Sequence, residues 1–431
     1  MAEISAFRGL RYDTSRVDVR DLVCPPYDVI APAEGAALRA RSPFNAIHLE
    51  APVSPDGRPD DRYAAAAALL DDWSRQGVLR SDDEPALYLV EQTFTGPDGW
   101  EHSRHGFICR LRLEDIERRV VLPHEKTHRG PKEDRLKLLR ATRANLSQIF
   151  MLYPDPHNVV GAALAAAPPP PAPPLEVADA DGNVCRLQPI TGPVVDRVAA
   201  LLRDRQVLIA DGHHRYETAL AYRDERRAAG LRDAEHVMVY LSSMDDPGLA
   251  IFPTHRLLKG VPIPPVDAVL ARLKRSFSVF PELCDSPDTC GPMMSHISRL
   301  TSAGKVFGLY FADERRCLTL ELSDMAAMTH LTDRCVSPEY AQLSVTILAE
   351  LVFRDALGLD PDGLEGHIDF AKSVDDAMRA MATGDYCLAA FLNATPMAEV
   401  RAVAERGETM PQKSTYFYPK LLTGLVFDRL D

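Results

Sequence analysis

The sequence lacks the glycine-rich motifs that mark many nucleotide-binding and hydrolytic enzymes. It contains no GxxxxGK phosphate-binding loop, no GxGxxG dinucleotide fingerprint and no GxSxG nucleophile elbow. These absences exclude the P-loop, Rossmann and α/β-hydrolase signatures as explanations of the chain. A phosphate or a substrate would have to be bound by another arrangement of residues.

The eight cysteines include no CxxC pair, and Cys284 and Cys290 are the two closest in sequence. This usage is typical of a reducing cytoplasm, where cysteines serve as small buried apolar residues rather than as disulfide partners. The sequence also has no run of about 18 apolar residues and no segment with the order of a signal peptide. We therefore expect a cytoplasmic protein without a membrane partner.

Positive charge is in the minority. The 49 Lys and Arg residues face 62 Asp and Glu residues, so the formal net charge is -13, spread along the chain. A general nucleic-acid binder would carry a basic face, so we expect no nucleic-acid partner. With 431 residues, of which 46% are hydrophobic, the chain is long enough for two or three globular domains. Composition leaves the oligomeric state open.

The order of apolar segments predicts an α+β fold made of several units with mixed sheets. Residues 86–94 and 104–113 are typical of an antiparallel strand pair, and residues 340–357 carry the apolar stripe of an amphipathic helix. A run of prolines after Ala167 favours a semi-rigid linker. We expect four segments: an N-terminal α+β unit (1–160), a Pro-rich linker (161–175), a central unit (176–260) and a C-terminal α+β unit (261–431).

The central unit contains the stretch around which the chain is organised. Residues 207–209 form a short apolar run, Asp211-Gly212 predicts a turn, and residues 213–230 predict a helix. The N-terminus of a helix carries free N–H groups and a positive dipole end, so it attracts anions and above all phosphate. Arg215 lies in the first turn, and its guanidinium can bind a phosphate bidentately.

His213, His214 and Glu217 would add polar groups to this corner, the histidines as donors and the glutamate as a base. The alternative is that adjacent histidines on a turn are ordinary surface residues. A further strand is predicted at 235–241. The order strand, helix, strand suggests that the strands at 207–209 and 235–241 pair in parallel.

A second polar cluster begins at His124. The residues from His124 to His128 match HExxH, the zincin motif, which works only inside a continuous helix. Pro123 precedes the motif and Gly130-Pro131 follows it, so no such helix is expected. A solvated charge run is one interpretation of the cluster. We instead predict a polar loop whose side chains face a ligand: His124, Glu125, Lys132 and Arg135.

The segment from Met410 to Lys420 lies between two prolines and is rich in hydrogen-bond donors. Lysine and hydroxyl groups on a rigid loop suit a phosphate or a carboxylate, although a packed strand edge is the alternative. The candidate ligand-binding residues are Lys413, Ser414, Thr415 and Lys420. Because rigid loops often display binding groups, we expect all three motifs to meet in one pocket, with Lys413 within roughly 10 Å of His213.

Five pieces of the sequence, spread in order over nearly the whole chain, resemble the family called domain of unknown function 1015. They are Phe7 to Tyr12, Pro25 to Asp28, His124-Glu125 with Gly130 to Arg135, Ala210 to Glu217, and Met410 to Lys420. The resemblance implies no activity by itself. The turn from Asp211 to Arg215 is also similar to the phosphate-binding turn of the ParB and sulfiredoxin superfamily, which includes nucleotide-dependent free-serine kinases. That local resemblance implies a phosphate-binding corner.

These features predict a phosphotransferase, a small-molecule kinase that uses ATP or ADP with Mg²⁺ on a small polar metabolite such as a hydroxy amino acid. Phosphoryl transfer needs cations positioned around the phosphates and a base or orienter for the nucleophile. The residues predicted to act catalytically are Asp211, His213, His214, Glu217, His124 and Glu125. The residues predicted to bind phosphate are Gly212, Arg215, Lys132, Arg135, Lys413, Ser414, Thr415 and Lys420.

Two alternatives stay open. A metal-dependent hydrolase would use histidine and carboxylate ligands suited to Zn, Mn or Fe, here His124, His213, His214 and Asp211. A non-catalytic regulatory protein would bind a metabolite or a nucleotide in the same pocket without turnover.

Overall fold

The computed structural model describes residues 2–54, 57–58, 60–96, 99–125, 127, 129–168, 173–283, 305–329 and 336–430. Within these ranges the chain has an α+β fold in which helices accompany mixed and antiparallel sheets, so the predicted fold class is confirmed. None of the helices in this part of the chain is long and apolar enough to cross a membrane.

The chain divides into two compact units, each assembled from separated segments. Unit 1 comprises Met1–Pro123, Thr127–Ala250 and Pro419–Asp431, and unit 2 comprises His124–Lys126 and Ile251–Tyr418. The sequence boundaries at 160, 175 and 260 stay a prediction about segments that fold independently. Of the Pro-rich stretch, residues 169–172 lie outside the described residues.

Unit 1 is built on a mixed sheet with nine strands in the described residues. Eight strands follow one another in the order Val121–Leu122, Val207–Asp211, Ile149–Tyr153, His236–Ser243, Glu101–Arg112, Leu87–Thr95, Val184–Ile190 and Leu175–Ala178. The ninth, Ile4–Ser5, pairs with Glu101–Arg112. The predicted antiparallel pair is confirmed, since Leu87–Thr95 runs antiparallel to Glu101–Arg112.

The sequence predicts that the strands on either side of the helix His213–Ala228 pair in parallel, and this prediction is wrong. Ile149–Tyr153 lies between Val207–Asp211 and His236–Ser243, antiparallel to the first and parallel to the second. The two strands therefore run in opposite directions. A strand from a distant segment provides their hydrogen-bond partners, and the local order of elements does not predict such an insertion.

Seven α-helices of the described residues belong to unit 1: Pro32–Arg41, Ile47–Glu50, Asp61–Arg75, Arg129–Thr142, Val159–Ala165, Pro193–Leu202 and His213–Ala228. The helix Arg129–Thr142 packs against both Asp61–Arg75 and His213–Ala228. Sheet and helices share an apolar core that includes Met151 and Tyr216. The core therefore holds the helix His213–Ala228 against the sheet.

Short elements complete unit 1. Single 3₁₀ turns lie at Val19–Asp21, Tyr27–Val29 and Ile116–Arg118. Two small antiparallel sheets join segments distant in sequence. They are Leu10–Tyr12 with Leu79–Ser81, and Ala144–Asn145 with Asp428–Arg429.

Unit 2 is built on an antiparallel sheet with six strands in the described residues. Their order is Phe277–Leu283, Arg316–Leu322, Val306–Phe311, Leu388–Leu392, His255–Leu258 and Ile368–Ala371. A smaller sheet pairs Ala250–Phe252 with Tyr416–Tyr418. The helices are Val266–Leu273, Pro338–Ala341, Ser344–Ile347, Leu348–Ala356, Val374–Met381 and Met397–Glu405, of which Leu348–Ala356 is a π-helix.

The single helix predicted at 340–357 is divided in the structure. Leu343 has an extended backbone with a ψ of 132°, which separates Pro338–Ala341 from the helical residues that follow. The apolar stripe is nevertheless core, as predicted: Leu343, Ile347, Leu351 and Val352 are all buried.

The cysteines follow the expected pattern only in part. Cys24, Cys109 and Cys185 are buried free thiols. Cys317, in contrast, is disulfide-bonded, which spacing in the sequence does not predict. Cys284 and Cys290 lie outside the described residues.

Candidate functional site

The predicted strand–turn–helix corner is present in unit 1. The strand ends at Asp211, the helix runs from His213 to Ala228, and Gly212 is the N-cap residue, with no side chain capping the helix. Gly212 has a φ of 94°, and a Cβ at this position would lie 2.9 Å from the guanidinium of Arg215. Glycine therefore allows both the turn and the close approach of Arg215.

Asp211, Arg215 and Lys420 form one charged group at this corner, the Asp211 triad. The Arg215 guanidinium donates to Asp211 over 2.9 Å, and the Lys420 amine donates to the other carboxylate oxygen over 2.6 Å. Arg215 also donates to the backbone carbonyl of Gln148 over 2.6 Å. The side chains of the triad are 12% to 17% exposed.

The charge of Asp211 is fixed by its two cationic neighbours. Burial by itself would raise the pKa of the Asp211 carboxyl, but the charges of Lys420 and Arg215 outweigh burial and hold the pKa below its ordinary value. Asp211 is therefore ionised at neutral pH. A phosphate binding at the helix start would share both cations with this carboxylate, which the sequence did not reveal.

Glu217 and Lys132 also come together. The Lys132 amine donates to Glu217 over 2.8 Å, and the Thr127 hydroxyl lies 2.9 Å from the same carboxylate. Both charged side chains are about one-third exposed, so the pair remains in contact with solvent. Lys132 thus lies against the helix His213–Ala228, paired with a carboxylate of that helix, and its predicted role in binding a ligand stays a prediction.

Arg135 is enclosed rather than directed at solvent. It is 8% exposed, donates to the carbonyl of Glu50 over 2.7 Å and to the carboxylate of Asp134 over 2.8 Å, and lies 4.1 Å above the ring of Tyr27. A cavity of about 60 Å³ beside it is also lined by Arg215.

The histidines of the corner differ in burial. His213 is buried, with 7% of its surface exposed, and the neighbouring Asp211 carboxylate interacts with its ring. His214 is partly exposed. Adjacent histidines on an ordinary surface turn would both be exposed, so the burial of His213 favours a role inside the corner.

In unit 2, His124 and Glu125 meet the C-terminal motif. The fully buried His124 ring lies 2.9 Å from the Thr415 hydroxyl and edge-on to the ring of Phe417. Glu125 forms a parallel bridge with Met410. His124, Glu125 and Thr127 are not helical, as predicted, while Lys126 and His128 lie outside the described residues.

The rest of the C-terminal motif is held by hydrogen bonds within unit 2. Ser414 and Thr415 are buried, whereas the Lys413 side chain is exposed and its backbone has a φ of 53°. The Lys413 carbonyl accepts from Thr254 over 2.6 Å and from Arg256 over 3.2 Å. The predicted approach of Lys413 to His213 concerns different units and stays a prediction.

Arg256 is a polar residue of unit 2 that sequence reasoning did not select. It is 5% exposed, and burial lowers its pKa to about 10, against the raising effect of the Glu125 charge. A single arginine after a short apolar run does not indicate that its side chain will be buried and will bind the Lys413 carbonyl.

Gln92 and Arg104 of unit 1 were also missed. Gln92 occupies an inward position in the alternating strand Leu87–Thr95, and Arg104 stands directly opposite on Glu101–Arg112. Both are almost completely buried. Polar residues at inward positions of a strand are a signal that the sequence does contain.

Candidate metal ligands do not cluster in the described part of the chain, where no group of three or more His, Cys, Asp or Glu residues could hold an ion. Of the ligands predicted for a hydrolase, Asp211 is already engaged by two cations. The geometry therefore gives no specific support to the hydrolase alternative.

Solved structures of similar proteins are distant from this chain. A free serine kinase variant in complex with AMP is 14% identical with a TM-score of 0.36, covering 72% of this chain and 87% of that chain. A conserved hypothetical protein from Pyrococcus furiosus is 13% identical with a TM-score of 0.34, covering 72% and 90%. C-terminally truncated SbnI from Staphylococcus aureus is 11% identical with a TM-score of 0.33, covering 74% and 86%.

Sequence comparison gives a firmer result. No curated protein sequence matches the chain significantly. The model of one family, described as a protein of unknown function (DUF1015), matches residues 4–346, which is well over half of the chain. The predicted resemblance is confirmed, and the chain belongs to the DUF1015 family.

Proposed function

We propose that this protein is a nucleotide-dependent phosphotransferase that transfers a phosphoryl group between ATP or ADP and a small polar metabolite such as a hydroxy amino acid. The observation that carries the proposal is the corner of unit 1. An uncapped helix start follows a glycine turn, and Arg215 and Lys420 lie within hydrogen-bond distance of Asp211 beside it. The N–H groups of a helix N-terminus and two fixed cations suit a phosphate.

The residues divide into two roles. Gly212, Arg215 and Lys420 bind phosphate, while Asp211 holds the two cations in place and orients the nucleophile. Lys132 of the helix Arg129–Thr142 and Glu217 of the helix His213–Ala228 form a second, more exposed pair, with Glu217 as the base. His213 and His214 stabilise developing charge at the helix start.

Arg135 has a structural role beside the corner, because its side chain donates hydrogen bonds to the Glu50 carbonyl and the Asp134 carboxylate. The unit 2 residues His124, Glu125, Lys413, Ser414 and Thr415 remain proposed ligand contacts of that unit.

Mg²⁺ fits the corner only together with nucleotide phosphates. In proteins this ion is usually held by one or two carboxylates plus substrate phosphates and several waters. Glu217 would be such a carboxylate here, and the ion would neutralise charge on the transferred phosphoryl group.

Calorimetric titration with ATP, ADP and GTP, with and without MgCl₂, tests the proposal. We expect micromolar to millimolar binding of at least one nucleotide, followed by phosphoryl transfer to serine or a related hydroxy amino acid in a ³¹P NMR assay. Binding without turnover would leave a nucleotide-binding regulatory protein. The absence of binding at millimolar nucleotide would remove the proposal.

A matched pair of variants tests the corner itself. Arg215→Ala should weaken nucleotide binding about 10- to 100-fold, the effect of losing a charge-assisted hydrogen bond to phosphate. Arg197 is exposed on a different helix of unit 1, so Arg197→Ala should leave the affinity unchanged. Circular dichroism at the titration temperature must show that both variants are folded. Equal affinities would place the nucleotide elsewhere.

A further inference from the structure

The segment that carries Lys420 is held by buried polar side chains of the unit 1 sheet. Arg104 donates to the carbonyl of Pro419 over 2.7 Å, and the amide of Gln92 donates to the carbonyl of Lys420 over 3.2 Å. Two residues further on, the amide of Gln148 donates to the carbonyl of Leu422 over 3.1 Å. The backbone is therefore fixed at Lys420 and on both sides of it.

Arg104 is an unexpected residue at the middle of a sheet. It is 0% exposed, and its guanidinium donates to the side-chain oxygen of Gln92, the residue directly opposite on the next strand. Burial lowers the pKa of Arg104. An apolar side chain would fill the same space without the desolvation of a cation, so filling space does not account for an arginine here.

The pairing of the sheet links Arg104 to the corner. Phe150 stands opposite Tyr240 on one side and is the partner of Asp211 on the other, after a shift in register between Ile209 and Asp211. The Arg104 guanidinium lies 4.5 Å from the ring centroid of Phe150 and 5.7 Å from that of Tyr240. Arg104 thus lies beside the strand partner of Asp211, and the Lys420 segment contacts both Arg104 and Asp211.

We propose that Arg104 is a positioning residue which, together with Gln92, fixes the backbone of Pro419 and Lys420 so that the Lys420 amine stays on Asp211. The catalytic consequence rests on the proposed function: a fixed Lys420 presents its charge to phosphate without the cost of ordering a long side chain at each turnover. Arg104 itself does not touch the ligand.

The first test measures Lys420 directly and needs no activity. Acetylation by an N-hydroxysuccinimide ester, quantified by peptide mass spectrometry, reports how often the Lys420 amine leaves Asp211. We expect Arg104→Met to raise the acetylation rate at Lys420 about tenfold or more, since one charge-assisted hydrogen bond is lost. The rate at Lys137, whose side chain is 47% exposed, serves as the internal reference.

Arg223→Met is the matched control. Arg223 is 3% exposed and donates to the carbonyl of Leu113 over 3.1 Å, so this variant also loses a buried guanidinium that binds a backbone carbonyl. It should melt at a lower temperature than wild type without changing acetylation at Lys420. If Arg104→Met does not fold, Gln92→Leu replaces it, because the Gln92 side chain contacts both Arg104 and the Lys420 carbonyl.

The second test measures turnover. In Arg104→Met we expect kcat to fall on the order of 100-fold, the effect of misplacing a catalytic group by about 1 Å, with partial recovery in Arg104→Lys. Equal Lys420 acetylation in Arg104→Met and Arg223→Met would overturn the positioning role. Faster acetylation in Arg104→Met, in a protein that shows no nucleotide turnover, would overturn the proposed function and leave the positioning role standing.

Discussion

At the residue scale, Asp211 shows how two neighbouring cations fix the charge of a carboxylate and bind both of its oxygens. Its carboxylate binds the amine of Lys420 and the guanidinium of Arg215, each on a separate oxygen. The sequence predicts that these residues are functional, but it does not predict that they neutralise each other. A ligand phosphate at this corner therefore competes with Asp211 instead of meeting two free cations.

The lowered pKa of Asp211 makes a prediction about stability and pH. The ionised form is favoured in the folded state, so its contribution is fully present above the unfolded pKa of about 3.9 and is lost as the pH falls through the lower folded pKa. Asp211→Asn should lower the free energy of unfolding at pH 7 by about 3–5 kcal/mol, because two buried cations lose their counter-charge.

Urea unfolding of both proteins at pH 7 and at pH 3 checks this expectation. The difference between wild type and Asp211→Asn should shrink at the acid pH, where Asp211 begins to protonate in the unfolded chain. A difference that stays the same at both pH values would show that the Asp211 charge does not stabilise the fold.

Gly212 makes a second prediction at this scale. Gly212→Ala places a Cβ 2.9 Å from the Arg215 guanidinium on a backbone with a φ of 94°, so we expect a loss of about 1–2 kcal/mol or more. Gly363 is the control, because it is exposed, its backbone does not have a positive φ, and a Cβ there comes no closer than 3.8 Å to another atom. Gly363→Ala should change the free energy of unfolding by less than about 0.5 kcal/mol. Thermal melts that rank the two variants in the opposite order would contradict this reading of the turn.

At the scale of elements, the helix His213–Ala228 is held at two positions along its length. Arg215 in the first turn belongs to the Asp211 triad, and Arg223 lies in the third turn, where amphipathic patterning alone would place it in solvent. In the structure Arg223 is 3% exposed and donates to the Leu113 carbonyl and to Asp115. Arginine can bury its stem and keep hydrogen bonds for the charged head, so its type does not fix its exposure.

The corresponding prediction compares two arginines on helices of unit 1. Arg223→Ala should reduce the free energy of unfolding by about 1–3 kcal/mol, since the Leu113 carbonyl loses its buried donor. Arg197 is exposed and does not serve as a buried donor, so Arg197→Ala should change the free energy of unfolding by less than about 0.5 kcal/mol. Chemical denaturation of the two variants checks this, and indistinguishable midpoints would contradict the burial of Arg223.

At the scale of the whole chain, the C-terminal residues are part of the unit 1 core. Val426, Phe427 and Asp428 are 0% exposed, and Arg110 donates twice to the Asp428 carboxylate, over distances of 3.0 and 2.8 Å. Lys420 contacts Asp211 at the corner, and Asp428–Arg429 form the small sheet with Ala144–Asn145.

Removing the residues after Tyr418 should therefore unfold unit 1, because the deletion exposes the core beneath Phe427 and leaves the charge of Arg110 without Asp428. The single substitution Asp428→Ala should have a smaller effect, about 3–5 kcal/mol, from breaking a buried ion pair. Far-UV circular dichroism and a thermal melt measure both. A truncated chain with the wild-type spectrum and melting temperature would show that the segment is dispensable for folding.

The sequence by itself determined the local features. An apolar run followed by Asp211-Gly212 and a helical stretch specifies the corner, because turn and helix signals act between residues close in the chain. The same holds for the antiparallel pair near residues 87–112 and for the family, whose motifs lie along the chain in order. The extended backbone at Glu125 also followed locally, from Pro123 and Pro131.

Only the tertiary structure decided which distant groups meet. It inserted Ile149–Tyr153 between the two strands expected to pair, and it placed Lys420 on Asp211 and the Pro419 carbonyl on Arg104. Such contacts depend on the register of the sheet and on the requirement that buried polar groups find partners. Neither condition is written in neighbouring residues, so the sequence named the charged side chains of the corner and the fold assigned their partners.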